Sequence, residues 1–260
     1  MPIALRRTVR FSPDDDPAGV NGEGGVPSFR GLGRHYELDV SCIGSPDPDT
    51  GFLINIKDID KAVRTLAVPA IARACRERPD ADPPTVLREI VALLSHALTC
   101  EVRGLRWRLT PYHSVEMSTN APARVLIRQQ FEFAASHRLH VPSLSPDQNR
   151  ALFGKCNAEN GHGHNYRVEP CVEVATDSPF TLRDLERSVD ETVIRRFDHT
   201  HLNLDTREFA TGKGVNPTVE NIARVAFDLL SPVLSRLPGS PVLRSVTVWE
   251  TDRTCATYPA

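Results

Sequence analysis

The chain has 260 residues, 40% hydrophobic and 25% charged, with a formal net charge of −2. That length allows one large domain or two of about 130 residues, either with a real core. The near-neutral balance argues against a nucleic-acid-binding protein driven by bulk charge, whereas a small anionic substrate needs only a local basic pocket. No apolar run reaches membrane-spanning length and the opening MPIALRRTVRF lacks a signal-peptide core, so a cytoplasmic protein without membrane partners is expected. Cys42, Cys75, Cys100, Cys156, Cys171 and Cys255 show no CxxC spacing and read as reduced thiols.

In chain order, residues 6–11 (RRTVRF) predict a first strand, and the Pro-, Asp- and Gly-rich stretch from Ser12 to Gly33 predicts a long surface loop. YELDVSCIG alternates as a strand, PDPDTG makes a turn, and FLINIKDIDKAV passes from strand into helix. Residues 58–76 can carry one helix interrupted near Pro69. In TVLREIVALLSHAL, helical spacing puts Val86, Ile90, Leu93, Leu94 and Leu98 on one face. LRWRLT (105–110) reads as another strand, and Thr119–Pro122 (TNAP) is the best linker candidate.

The stretch from Phe131 to Tyr166 carries the chemistry. Phe131, Phe133, Ala135 and His137 alternate along a strand, and His162 and His164 flank one glycine at the head of another. Positions two apart on a strand share a face, so His162 and His164 can bind one metal ion, and His137 can supply a third nitrogen. Three imidazoles with an open fourth position suit a catalytic zinc, because structural zinc sites are usually closed by four ligands. Cys156 lies between the two strands, and a thiol beside zinc and imidazolium has reason to lose its proton.

Further on, residues 181–197 place Leu182, Leu185, Val189, Val193 and Phe197 at helical spacing and deliver Asp198 and His199 at the helix end. Carboxylate beside imidazole sets a tautomer and raises basicity, although His199 also fits a helix C-terminus as a cap. His201 is the weaker catalytic candidate. Asn216 and Pro217 fit N-cap and first-turn positions, with Thr218 and Glu220 following. Glu250 interrupts the Val246, Val248 alternation on a strand, where a carboxylate is costly unless it binds something.

The two halves echo each other. GRHYELDV (33–40) aligns with GHNYRVEP (163–170), PPTVLREI (83–90) with NPTVENIA (216–223), and LRWRLT (105–110) with VTVWET (246–251). Two copies of one module follow, residues 1–118 and 119–260. The first has lost its chemistry: Arg34 stands at the place of His164, Leu109 at that of Glu250, and nothing in residues 60–80 matches DHTH.

The pieces ASHRL (135–139), LFGKCN (152–157), NGHGHNY (160–166), FDHTHLN (197–203), NPTVEN (216–221) and VTVWET (246–251) resemble, in order, the 6-pyruvoyl-tetrahydropterin synthase and 6-carboxytetrahydropterin synthase family. The resemblance covers the last half of the chain. It implies an α+β tunnelling fold, an antiparallel four-stranded sheet with two helices on one face, here in tandem. Zn2+ would be held by His137, His162 and His164, with Cys156 as general base and Asp198 and His199 as a relay from a neighbouring subunit. Glu250 would anchor the pterin ring, with Thr218 also at the substrate. The implied reaction is a lyase converting 7,8-dihydroneopterin triphosphate to 6-pyruvoyl-tetrahydropterin with loss of triphosphate. The CNxxNGHGHNY spacing favours that branch over the 6-carboxy synthase of the queuosine pathway. Retention of Cys156, Asp198, His199 and Glu250 weighs against a non-catalytic pterin- or zinc-binding module, and Glu250 as a pterin anchor is the feature that would separate these readings from another zinc lyase or hydrolase. Family members assemble through sheet edges, so a homo-oligomer, trimer or hexamer, is expected.

Overall fold

The computed structural model describes residues 2–13 and 34–260. The expected loop at 12–33 therefore lies, from residue 14 onward, outside the described residues. The chain divides into two compact units, one of residues up to Ile127 with Ala175–Asp177, the other of Arg128–Val174 and Ser178–Ala260. Among the described residues no helix is long and apolar enough to cross a membrane. All six cysteines are free thiols.

In the first unit, β1 (Ile3–Phe11) and β2 (Tyr36–Gly44) pair antiparallel with Phe11 opposite Tyr36. After β2, Asp47 closes the expected turn by accepting from the Asp49 and Thr50 amides. Residues 52–55 form no strand. Asn55 instead accepts from the Lys57 amide and starts helix α1 (Ile56–Ala62), because its side chain satisfies a helix-end donor that a strand would not present. The helix passes through a π turn, Val63–Ala67, into α2 (Val68–Glu77). Pro69, which lacks an N–H and crowds the preceding turn, accounts for the interruption.

Helix α3 (Pro83–Ala97) buries Val86, Leu87, Ile90, Val91 and Leu94. Leu93, expected on that face, is 39% exposed. The true stripe is centred between Leu87 and Leu94, one step round from the predicted one. β3 (Glu101–Arg108) and β4 (His113–Ser118) complete an antiparallel four-stranded sheet. Its helix face is apolar, with Val9, Phe11, Leu38, Val40, Leu105 and Val115 all buried. On the other face Asp39 accepts from Thr8 Oγ1 at 2.5 Å and pairs with Arg108 at 2.9 Å, while Arg10 and Arg108 both reach Glu37. The buried carboxylate is hydrogen-bonded through Oδ1, while Oδ2 faces the Arg108 guanidinium without a hydrogen bond.

Thr119–Pro122 forms a turn, with Thr119 Oγ1 donating to the Val102 carbonyl at 2.7 Å. The division between the two compact units falls inside the strand that follows, β5 (Arg124–Gln129).

In the second unit, β6 (Phe131–His137) pairs antiparallel with β7 (His162–Ala175). Between them come α4 (Pro146–Phe153), opened by a Ser145–Gln148 capping box, and a 3-10 turn, Gly154–Asn157. The predicted helix at 181–197 is α5 (Leu182–Val189), a π turn at Asp190–Ile194, and α6 (Arg195–Phe197). Leu185, Val189, Val193 and Phe197 are fully buried, as the spacing required.

The short β8 (Thr200–His201) runs parallel to β6, followed by α7 (Leu202–Asp205). Helix α8 (Val219–Leu234) starts with Thr218 as N-cap, accepting from the Asn221 amide. The expected start at Asn216 and Pro217 is therefore two residues early, because the Pro217 carbonyl is taken by a histidine. β9 (Val242–Thr251) lies on β7, and β10 (Thr254–Tyr258) lies on β9.

The corrected α3 face is testable. Ile90→Ala should lower unfolding free energy by roughly 2–5 kcal/mol and Leu93→Ala by less than about 0.5 kcal/mol, measured by urea denaturation.

Candidate metal centre

Strand register builds the site. His137 ends β6 and His162 begins β7 directly opposite it, while Ala135 pairs with His164. The three imidazoles therefore share one face. Their ring centroids lie 4.5 Å (His137–His162), 4.8 Å (His162–His164) and 5.2 Å (His137–His164) apart. Gly161 makes this approach possible: its φ is +71°, and a Cβ there would stand 2.6 Å from the His137 carbonyl oxygen.

His137 is fully buried, and its Nδ1 sits 2.7 Å from the Pro217 carbonyl. Only a protonated Nδ1 can bond a carbonyl, so Nε2 carries a lone pair turned toward His162 Nε2, 3.1 Å away. Nε2 of His164 is buried without a hydrogen-bond partner. Glu250, at the end of β9, brings Oε1 to 3.4 Å from Nε2 of both His137 and His164. Among the described residues, His137, His162, His164 and Glu250 are the one such group whose donor atoms converge, all within 4.8 Å of one another. Orphaned lone pairs around one point fit a divalent metal, and imidazole and carboxylate donors suit zinc.

The remaining predicted residues take their places around this group. Cys156 lies half-buried in the 3-10 turn, where its carbonyl accepts from the Leu139 amide at 2.8 Å. Asn157 donates to the Leu139 carbonyl at 2.6 Å, stitching the turn to the segment just after His137. Asp198 accepts from the Ala134 amide at 2.8 Å, and His199 donates to the Ala134 carbonyl at 2.6 Å, so both are pinned to β6. His199 Nδ1 is 2.8 Å from Asp198 Oδ2, its φ is +57°, and its side chain is 84% exposed. The Ala134 amide and His199 together hold the Asp198 carboxyl below the usual range. This dyad stands outside the convergent group, beside an open cleft of about 500 Å³ lined by Ala134, Ser136, His164 and Thr200. Thr218 caps α8, its hydroxyl accepting from the Asn221 amide.

Residues 126–260, spanning this unit, match the profile described as 6-pyruvoyl tetrahydropterin synthase. The chain belongs to that family. It is 38% identical over 149 residues to the 6-pyruvoyl tetrahydrobiopterin synthase of Homo sapiens, covering 55% of this chain and 98% of that protein. It is 33% identical over 141 residues to that of Drosophila melanogaster, covering 53% and 80%. The solved structure of the Caenorhabditis elegans 6-pyruvoyl tetrahydropterin synthase is 35% identical over 52% of this chain and 94% of that one, with a TM-score of 0.47.

In this family member, sequence reasoning missed three supporting residues. Tyr166 is fully buried, with its hydroxyl unpartnered and its ring 5.5 Å from that of His164. Burial pushes the phenol up, and the Glu250 and Cys156 charges add to the effect. Alternation from His162 and His164 to Tyr166 was the available signal. Asn203 clamps Arg138 through both its amide and its carbonyl, and buried Asn149 ties down Val141, Leu144 and Ser145. Neither has a periodic signature.

Burial drives the His137 imidazole down to about 4, with the neighbouring imidazoles adding and the Pro217 bond opposing. A lowered histidine pKa favours the neutral form in the fold, so this contribution is full above the unfolded value of about 6.5 and is lost as pH falls from there toward 4. For metal-free protein, unfolding free energy should fall by about 3 kcal/mol more across that window than in His137→Asn, measured by denaturant titration at a series of pH values. Equal slopes would contradict the assignment.

Proposed function

We propose that the second unit converts 7,8-dihydroneopterin triphosphate to 6-pyruvoyl-tetrahydropterin, eliminating triphosphate as a lyase. The convergence of three imidazoles and one carboxylate, in a chain of this family, carries the reading. His137, His162 and His164 would hold zinc. When bound, the ion supplies Lewis-acid chemistry that makes the substrate's side-chain hydroxyls more acidic.

The chain's own residues do the rest. Cys156 takes and returns protons at the substrate side chain, and its half-buried turn gives it access from the solvent side. Asp198 orients His199 by the 2.8 Å bond to Nδ1, leaving Nε2 to relay protons. We assign that relay to a neighbouring subunit's Cys156, because the ring is exposed on an open cleft and is not among its own unit's convergent donors. A homo-oligomer follows. Beside the Cys156 turn, a cleft of about 420 Å³ is lined by Arg138, His140, Arg150 and Lys155 together with Glu159. Cations there suit a triphosphate. Glu250, among the imidazoles, is the carboxylate that would engage the amide and amidine edge of a pterin.

We further infer that residues 1–118 are a second copy of the module that has lost its site. Support comes from the same order of two strands, a helix broken by a π turn, a second helix and two strands, and from Phe11–Tyr36 pairing where the other unit has Phe133–Tyr166. The free thiols accord with a reducing, cytoplasmic setting.

Incubating zinc-loaded full-length protein with 7,8-dihydroneopterin triphosphate should release triphosphate and a 6-pyruvoyl product identified by mass. Cys156→Ala should slow this by about 10²–10⁴-fold. A 6-carboxy product, or unchanged turnover in Cys156→Ala, would contradict the reading.

A further inference from the structure

Glu250 stands closer to the imidazoles than a group reserved for a substrate ring needs to stand. Its Oε1 is 3.4 Å from His137 Nε2 and 3.4 Å from His164 Nε2, and His137 Nε2 is 3.1 Å from His162 Nε2. Donor atoms at the corners of a tetrahedron with bonds of about 2.0–2.1 Å are separated by edges of about 3.3–3.4 Å. Two edges, both of them the carboxylate's, thus already have the length of a four-coordinate site, and the His137–His162 edge is slightly shorter.

The electrostatics point the same way. Because His137 Nδ1 carries the hydrogen donated to Pro217, its Nε2 faces Glu250 with a lone pair. His164 Nε2 has no hydrogen-bond partner. Carboxylate oxygen against the His137 lone pair is repulsive unless a cation lies between them. The carboxylate is held there by β9, whose Trp249 is in register with Arg167 on β7, next to Tyr166 and across from the histidine strand.

We propose that Glu250 is the fourth ligand of the substrate-free metal centre, so that the site is closed at rest and substrate hydroxyls enter by exchange with the carboxylate. The proposal rests on the reading that the three histidines hold the metal. It gives Glu250 two states. Bound to the metal, it balances charge and keeps water and stray anions off the fourth position. Displaced, it becomes a free acceptor within reach of the N–H edge of the incoming ring, so only a ligand offering both hydroxyls and that edge replaces everything the carboxylate gives up. Selectivity for hydroxylated heterocycles over simple anions follows.

Full-length protein loaded with Co(II) and titrated with azide, followed by visible absorption, tests this beside Glu250→Ala and Glu250→Gln. Both variants should take azide at concentrations at least about 10-fold lower than wild type, and chelator competition should show them holding Co(II) about 10- to 100-fold more weakly. The near-isosteric Gln variant keeps the test valid if the Ala variant does not fold. Equal azide affinity in all three proteins, with Co(II) still lost in His162→Ala, would overturn the proposal and leave the histidine site standing. Failure of wild type to bind Co(II), or its retention in His162→Ala, would overturn both.

Discussion

The hydrogen bond from His137 to the Pro217 carbonyl is the constraint on which the second unit depends. It fixes the imidazole tautomer, so that one nitrogen is spent on the scaffold and the other is left as a ligand. Asn216 and Pro217 stay outside α8, with the Pro217 carbonyl turned to His137, and Thr218 is the cap. Asn216 is drawn in as well, its side-chain oxygen accepting from the His140 amide at 3.2 Å. The start of α8 and the end of β6 are thereby locked together around a buried imidazole. The other two histidines then follow from register alone, because β7 begins opposite the residue that β6 ends on.

On the proposed reading of the first unit as a second copy, it carries the same layout without that constraint. Pro84 stands where the repeat puts Pro217, but α3 starts directly at Pro83 and its prolines lie in the first turn of the helix. Tyr36 and Phe11 keep the aromatic pairing of Tyr166 and Phe133, while Leu109 lies where the other unit has Glu250. What the sheet carries on its polar face is an ion ladder, Asp39, Glu37, Arg10 and Arg108, whose charges satisfy one another. Such a ladder fixes strand pairing without creating an open coordination position.

Much of this was legible in the sequence, and the limits have physical causes. Alternation found β2, β6, β7 and β9, and helical spacing found the buried stripe of α5 through Phe197, because both signals come from which face is dry. The histidine triplet was legible because HxH on a strand and a strand-ending histidine can meet only by pairing. Leu93 misled because an apolar residue at the rim of a helical stripe looks the same as one at its centre. The start of α8 misled because Asn–Pro is an ideal helix opening, and only a tertiary partner for the Pro217 carbonyl moves the cap. Asn149, Asn157 and Asn203 were invisible for the same reason: they hold irregular backbone, where there is no period to read. Glu250 was found as an anomaly in a strand, but its position among the imidazoles depends on how β9 lies on β7.

The central claim is that one divalent metal is held per chain, by the histidines of the second unit. Metal content per chain, measured by inductively coupled plasma mass spectrometry on purified wild type and His162→Ala after zinc loading and dialysis, tests it most directly. The account predicts one zinc per wild-type chain and none in the variant. Two ions per chain, or one retained in His162→Ala, would contradict it.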